Sequence, residues 1–343
     1  MSPEENHSLA DRINATDSQV LMEMAAKYYS QIIQKHGAFK EYFCSPEGEK
    51  TEIEENNIRY IPLYRDDDSR KMLVLVNSKK GKSAIAVYLN ESWWPVEDLL
   101  KTSDQSKEGL LQVQTFGERI TLFVLNCLLC GFSEEDDLLD EAFFLPHASG
   151  ELAKILWHKG EAAAFYTYKN KGSLCTQSFG ECYQLPVLDT VFVQKRWRRH
   201  GMGTKILQDY SQIFSEESVL GISCPISPMM YKVCRKFLTC NLRDRDRFWE
   251  VEAPGHWNQR VNIWLKIKLS GVSTVEEPTT GRDSEQRDKA TTTETDSHSI
   301  PDKRDCDQSI GNSDAYFSTM IHKKRRNSND DVEDTTTKHI KKS

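Results

Sequence analysis

The chain lacks the features of several common classes of protein. No apolar run is long enough to span a bilayer, and the N-terminus, MSPEENHSLADR, is too polar for a signal peptide. The formal net charge of -7 provides no excess of positive charge for a general nucleic-acid coat. We therefore expect a soluble, intracellular protein that does not bind nucleic acid broadly.

The nine cysteines give no sign of a metal site. They are scattered, several within apolar runs, as expected of reduced thiols in the cytosol or nucleus. Cys127 and Cys130 form a CxxC, but a second CxxC with zinc-ribbon spacing is missing. The pair lies in the apolar pattern ITLFVLNCLLCGF, which favours buried core thiols over a metal or redox site. No metal is expected.

Two well-known phosphate loops are also missing from residues 188–210, LDTVFVQKRWRRHGMGTKILQDY, which carry the clearest chemical pattern of the chain. The Walker pattern needs GxxxxGK[ST], whereas the two glycines here stand two apart and follow the basic residues. The dinucleotide fingerprint GxGxxG needs a glycine where Ile206 stands. Neither pattern fits this segment.

The same segment predicts a strand, a glycine-containing turn and a helix. Leu188, Val191 and Val193, with Phe192 among them, make a short β-branched and aromatic run, and apolar residues recur at helical spacing after Thr204. The first amides of a helix lack intrahelical partners and lie at the positive end of its dipole, so they suit a phosphate. Gly201 and Gly203 would let the backbone turn and approach a ligand. Basic side chains surround the turn: Lys195, Arg198 and Arg199.

The pattern R-x-x-G-x-G between a strand and a helix resembles the acyl-CoA pyrophosphate loop of the GNAT acyltransferase superfamily. Its residues here are Arg198, Arg199, His200, Gly201, Met202 and Gly203. The resemblance implies that the loop amides, to about Thr204, hold the pyrophosphate of acetyl-CoA or another acyl-CoA. It also implies an oxyanion-binding backbone amide near Phe192 or Val193 on a bulged strand. The alternative is an ordinary strand-to-helix turn with solvated arginines.

The order of elements predicts an α/β or α+β fold. With the GNAT resemblance, we expect a mixed twisted sheet flanked by helices over residues 152–269, with a hairpin at Lys159-Gly160. After the phosphate loop and its helix, the predicted elements are a strand at 219–226, a helix at 229–238 and closing strands at 247–251 and 261–269.

Residues 1–140 predict an α/β portion without a recognisable catalytic pattern. Its predicted elements are a helix after Asp17, strands at 58–64, 72–76 and 84–89, a Trp93-Trp94-Pro95 sheet edge and a long helix from about 110 to 132. An acidic connector at 134–140 suggests three portions: 1–140, 141–269 and 270–343.

Acyl transfer to an amine also needs a route for the amine's proton. The GNAT resemblance implies a carboxylate side chain near the central strand that acts as the general base. It also implies a tyrosine on the following helix that acts as the general acid. Asp189 is the candidate base, although it could equally be a solvent-facing strand residue. Alignment on Lys236 places Cys234 where the tyrosine is expected, and Tyr231, three residues earlier, could replace it or pack in the core.

Residues 270–343 contain hardly any apolar side chains, so we expect a disordered tail. Within it, His322-Lys323-Lys324-Arg325-Arg326 is a compact basic cluster, and residues 338–342 supply another. Such a cluster is typical of a nuclear-import address read by an import receptor, or of a solvated charge run.

The whole chain resembles a vertebrate family that includes the soluble lamin-associated nuclear protein. The resemblance lies in VFVQKRWRRHGMG, in LWHKGEAAAFYTYK and in a globular block followed by a charged tail. It implies a nuclear or nuclear-envelope setting, with or without a cytoplasmic pool, and lamina-associated partners. Two functions stay open: an acyl-CoA-dependent N-acyltransferase acting on an amine, or a catalytically inactive GNAT-fold nuclear interaction protein.

Overall fold

The computed structural model of the chain describes residues 13, 18–34, 40–77, 83–130, 145–175 and 180–272. The predicted acidic connector and almost the whole predicted tail, with its basic clusters, lie outside these ranges. The described residues form a seven-stranded, a four-stranded and a two-stranded sheet together with helices, which confirms a mixed α+β fold. Within the same ranges, no helix is long and apolar enough to cross a membrane.

The four-stranded sheet is an antiparallel meander covered by the first helix. Its strands are β3 (Ile58–Tyr64), β4 (Asp67–Asn77), β5 (Ser83–Leu89) and β6 (Ser92–Pro95), after the small pair β1 (Tyr42–Cys44) and β2 (Lys50–Glu52). Helix α1 (Ser18–Gln34) stacks Tyr28 on Tyr88 at 4.1 Å between ring centroids. Trp93 lies in the edge strand and donates its indole N–H to the Tyr28 hydroxyl at 3.0 Å. The three strands and the tryptophan edge predicted here are confirmed.

The seven-stranded sheet has the order β13-β12-β11-β10-β9-β8-β7. Its strands are β7 (Gly109–Gln112), β8 (Leu152–His158), β9 (Glu161–Lys169), β10 (Val187–Val193), β11 (Leu220–Ser223), β12 (Phe248–Val251) and β13 (Arg260–Asn262). The β10–β11 and β11–β12 pairs are parallel, and the others are antiparallel. The predicted hairpin turn is confirmed, with Lys159 and Gly160 at φ 50° and 76°.

Four helices accompany this sheet: α2 (Phe116–Phe123, continued by the π-helical turn Val124–Leu129), α3 (Met202–Ile213), α4 (Pro228–Cys240) and α5 (Ile263–Val272). One face of the sheet packs Leu188 and Phe248 against α3 and α4. The other face packs Ile155, Phe165 and Phe192 against α2 and the four-stranded sheet. Strand β10 is therefore covered on both faces.

Two predicted elements were wrong. The helix expected from about residue 110 begins at Phe116, because residues 109–112 pair with β8 and Thr115 forms a capping box with Glu118. The strand expected at 261–269 is mostly helix α5. Its alternating apolar residues imitate a strand, but the Asn262 side chain accepts the Leu265 amide at 2.8 Å at the start of a helix.

Candidate functional site

Strands β10 and β11 pair at one end only. Val187 lies opposite Gly221 and Leu188 opposite Ile222, and there the ladder ends. Along its other edge, β10 stays paired with β9 as far as Val193, with a bulge at Asp189, between Leu188 and Thr190. The sheet therefore opens beside residues 189–193 of β10.

The backbone amides of Val191 and Val193 face this opening. On the β9 side, the Gln194 amide donates to the Ala163 carbonyl at 3.1 Å, and the Thr190 amide donates to the Thr167 hydroxyl at 3.2 Å. Alternate amides of an antiparallel strand point to opposite edges, so those of Val191 and Val193 point away from β9. The same alternation turns the Phe192 amide toward β9. Of the two predicted oxyanion positions, Val193 therefore presents its amide to the opening.

The loop between β10 and α3 makes a left-handed turn directly before the helix begins. Arg199 and Gly201 take left-handed backbone angles, with φ 66° and 75°. The first intrahelical bond of α3 runs from the Lys205 amide to the Gly201 carbonyl at 3.0 Å. The amides of residues 202–204 precede this bond and lie at the positive end of the helix, where an anion is stabilised.

The two glycines of the loop serve different purposes. A Cβ on Gly201 would meet no atom within 4 Å, so its role is the left-handed turn. A Cβ on Gly203 would stand 3.0 Å from Val233 Cγ1, so its role is the close approach of α3 to α4. Met202, between them, is buried and fastens the helix start to the core.

Some of the basic side chains around the loop already make hydrogen bonds or ion pairs within the protein. Arg198 Nε donates to the Val193 carbonyl at 3.1 Å, which ties the loop to the opened strand. Arg196 pairs with Glu161. His200 is exposed, with its Nδ1 2.8 Å from the Arg198 carbonyl oxygen. Positive charge therefore remains near the helix start, although less than the number of basic residues suggests.

Trp197 is a loop residue that the sequence reasoning missed. Its ring packs edge-on against His158, at 4.9 Å between centroids, and near His200 at 6.2 Å. Its indole nitrogen is buried and has no hydrogen-bond partner among the described residues. The motif does not reveal this donor, because Trp197 lies outside it, immediately before its first residue, Arg198.

Tyr231 and Cys234 lie on α4 near a carboxylate of β12. The Tyr231 hydroxyl donates to Glu250 Oε2 at 2.5 Å, and Lys266 Nζ pairs with the same oxygen at 2.5 Å. Burial and the neighbouring Glu250 raise the pKa of Tyr231. Cys234 is 1% exposed, and burial raises its pKa to about 12. The phenol proton is thus committed to Glu250, and the thiol is protonated and enclosed.

Asp189 lies elsewhere, beside a polar cluster under the other face of the sheet. Burial lowers the pKa of His147 and raises the pKa of Glu151 and of Tyr183, and the negative charge of Asp189 acts on all three groups as a smaller, raising contribution. The structure therefore brings Tyr231 and Cys234 together but places Asp189 in a separate environment. His147 and Glu151 were not selected from the sequence, since no motif surrounds them.

Of the CxxC pair, Cys127 lies in the π-helical turn after α2, and Cys130 follows the end of that turn. Cys127 is buried, and burial raises its pKa; burial raises the pKa of Cys130 to about 12. Across the described ranges, no group of three His, Cys, Asp or Glu side chains is placed to hold a metal ion.

An α+β protein with a parted pair of parallel strands and a helix start beside them is the class that these features define. The chain belongs to the FAM169B family. It is 48% identical over 254 residues to mouse "Protein FAM169B", and the alignment covers 74% of this chain and 75% of the relative. It is 48% identical over 122 residues to human "Protein FAM169BP", covering 36% of this chain and 64% of that protein. Membership of a vertebrate family is thereby confirmed. No family model and no solved structure matches the chain.

Proposed function

We propose that this protein binds an acyl-CoA on a GNAT-like sheet and transfers the acyl group, as an acetyl group from acetyl-CoA, to an amine. The observation that carries the proposal is the parting of β10 and β11 after the Asp189 bulge, directly before the 198–204 loop and α3. Parallel strands that part in this way leave backbone amides and a helix start along one continuous path.

The path fits the extended shape of CoA. At about 3.3 Å per residue, the four steps from Asp189 to Val193 span about 13 Å, comparable to the length of the pantetheine arm. The amides of Val191 and Val193 would hydrogen-bond the arm as an added strand. The pyrophosphate would then reach the amides of residues 202–204, with the thioester near the bulge.

Within this arrangement, the amine nitrogen attacks the thioester carbon and negative charge develops on the carbonyl oxygen. A backbone amide at the opening is already oriented, so it stabilises the negative charge on that oxygen without having to move. Such electrostatic stabilisation is usually the largest single contribution to the rate. The CoA thiol, with an ordinary pKa of about 8.5 for its class, leaves as a thiolate or with a proton.

A second function is favoured by one observation. Because Glu250 holds the Tyr231 proton and Cys234 is enclosed, neither presents an acid to the opening. An acyl-CoA-binding interaction protein without turnover is consistent with this. Release of CoA thiol in the presence of a primary amine separates the two, since only the transferase produces it.

Titration calorimetry of the full chain with acetyl-CoA tests the shared claim. We expect micromolar affinity, and at least tenfold weaker binding of acetyl-pantetheine, which lacks the phosphates that the loop would hold. Equal affinities for the two ligands, or no binding by a folded protein, would exclude the loop as a pyrophosphate site.

We also propose a nuclear location with lamina-associated partners, supported by the basic cluster 322–326 and the family resemblance. A fluorescent fusion whose Lys323, Lys324, Arg325 and Arg326 are all changed to alanine should lose nuclear accumulation. Unchanged accumulation would remove the import role of the cluster.

A further inference from the structure

Helix α5 carries apolar side chains on two opposite faces. Its inner face packs Ile263 and Ile267 against the core that α5 shares with α4. Its outer face carries Leu265 and Leu269, which are 58% and 63% exposed. Residues four apart in a helix are neighbours on its surface, so the two leucines form one apolar stripe. A helix that is apolar on all sides is normally covered on all sides, so a partner is indicated for the outer face.

Two cations converge on an indole ring next to this stripe. The guanidinium carbon of Arg245 lies 4.1 Å from the centroid of the Trp264 ring, and Lys268 Nζ lies 4.8 Å from it. The two positive groups are therefore about 9 Å apart at most. Arg245 is held in place because its Nε donates to the Leu238 carbonyl of α4 at 2.8 Å. Among the described residues, neither cation forms an ion pair with a carboxylate.

This arrangement leaves a place for a negative group beside the leucines. The ring stabilises each cation but does not cancel the repulsion between them, whereas a carboxylate could accept charge-assisted hydrogen bonds from both. Lys268 lies three residues after Leu265 and one before Leu269, so it borders the apolar stripe on the helix surface. A single ligand can therefore contact the leucines and the cations together. We call this surface the α5 patch: Arg245, Trp264, Leu265, Lys268 and Leu269.

The part of the chain around the α5 patch is basic, although the whole chain is acidic. Residues 228–272 contain nine lysines and arginines and four aspartates and glutamates, whereas the formal net charge of the chain is -7. Two of these four carboxylates, on Asp244 and Glu250, are buried and paired with Arg247 and Lys266. Helix α4, which packs against α5, adds three exposed cations: Lys232, Arg235 and Lys236. A complementary partner therefore carries negative charge as well as apolar side chains.

We propose that the α5 patch is the docking site for an acidic, leucine-containing helix of a partner protein. Apolar side chains of the partner cover Leu265 and Leu269, and one of its carboxylates pairs with Arg245 and Lys268. The four-residue spacing of the leucines is the spacing by which amphipathic helices are recognised. Two leucines make a much narrower apolar face than a helix inserts into a membrane surface, so a protein partner fits better than a bilayer. No residue of the patch belongs to the proposed acyl-CoA path, so the two proposals stand or fall separately.

The probe is a fluorescein-labelled peptide, EEALLEELLEEA, whose leucines fall on one face of a helix. Two control peptides have either every glutamate replaced by glutamine or every leucine replaced by alanine. Fluorescence anisotropy measures the binding of each peptide to the full chain. The variants are Lys268→Glu and Leu269→Ser. Their matched controls are Lys171→Glu and Leu174→Ser, because Lys171 is also exposed, Leu174 is 72% exposed, and both lie outside the α5 patch.

We expect the acidic leucine peptide to bind wild type and both control variants equally, and both control peptides to bind at least tenfold more weakly. Lys268→Glu should weaken binding of the acidic leucine peptide at least tenfold, because it reverses the charge that faces the carboxylate. Leu269→Ser should weaken it to a similar extent through the lost apolar contact. Raising the salt from about 50 to about 300 mM should weaken binding to wild type more than binding to Lys268→Glu, since salt screens exposed charges.

Four results would overturn the docking proposal. Two concern the peptide: no binding to the folded wild-type protein, or the same affinity in wild type, Lys268→Glu and Leu269→Ser. A wild-type dimer in analytical ultracentrifugation that Leu269→Ser dissociates would assign the stripe to a second copy of the chain. Binding of phosphatidylserine vesicles that Lys268→Glu abolishes, without binding of the peptide, would assign the patch to a membrane. Circular dichroism shows whether each variant is folded, and Lys268→Gln or Leu269→Ala replaces one that is not.

Discussion

The close contact between Gly203 and Val233 makes a quantitative prediction about the helix that begins the candidate site. A Cβ at residue 203 would lie 3.0 Å from Val233 Cγ1 and 3.3 Å from Cγ2. In a helix, alanine is favoured over glycine by about 1 kcal/mol. Overpacking typically costs about 1–3 kcal/mol. Gly203→Ala should therefore change the free energy of unfolding by between about 0 and -2 kcal/mol.

Removing the two methyl groups of Val233 should reverse the sign of the effect that Gly203→Ala has on the free energy of unfolding. In a Val233→Ala background, both contacts are gone and the helix preference alone remains, so Gly203→Ala should stabilise by up to about 1 kcal/mol. The coupling energy of the double-mutant cycle should then be about 1–3 kcal/mol. Urea unfolding followed by far-ultraviolet circular dichroism measures all four proteins.

Gly201→Ala is the internal control for this cycle. Its Cβ would meet no atom, and it should destabilise by about 1–2 kcal/mol through its left-handed backbone alone. That cost should be equal in both backgrounds, because Gly201 and Val233 share no contact of this kind. A Gly203→Ala change that stabilises the wild-type protein and the Val233→Ala variant equally would refute the packing account.

Two further predictions concern buried groups. In the native protein, Cys127 should resist thiol reagents that modify the exposed Cys44 within minutes, and mass spectrometry of the labelled sites checks this. Burial alone would raise the pKa of Glu250, but its hydrogen bonds with Lys266, Tyr231 and the Ile226 amide outweigh burial, so this pKa lies below its usual value. The ionised Glu250 therefore stabilises the folded protein, and this stabilisation is lost as the pH falls through the folded pKa. Burial raises the pKa of Glu151, so its charge opposes folding at neutral pH. Between pH 7 and 4, the destabilisation by Glu250→Gln should shrink and that by Glu151→Gln should grow; parallel urea midpoints would contradict both assignments.

Local signals in the sequence predict the strand, loop and helix of the candidate site. The left-handed angle at Gly201 and the hairpin at Lys159-Gly160 follow from residues that tolerate or require such turns. The purpose of Gly203 could not be predicted in the same way. Its contact with Val233 depends on how α3 and α4 cross. The two residues are about thirty positions apart, so no local sequence pattern predicts that they meet.

The errors have physical causes of the same kind. Residues 109–112 become a strand because β8 offers an edge, and α5 is a helix despite a period-two apolar pattern. His147 and Glu151, before β8, lie near enough to Asp189 in β10 for its charge to act on both. No local pattern marks the first two, because their common feature is burial beside the bulge.

The most direct test of the account compares Gly201→Asp with Gly201→Asn in calorimetric titrations with acetyl-CoA. Both side chains tolerate the left-handed angle at this residue and have nearly the same shape, so they differ mainly in charge. If the loop holds the pyrophosphate, the aspartate variant should bind at least tenfold more weakly than the asparagine variant. Equal affinities in two folded variants would contradict the central claim, because a negative charge at the start of α3 would then not affect the ligand.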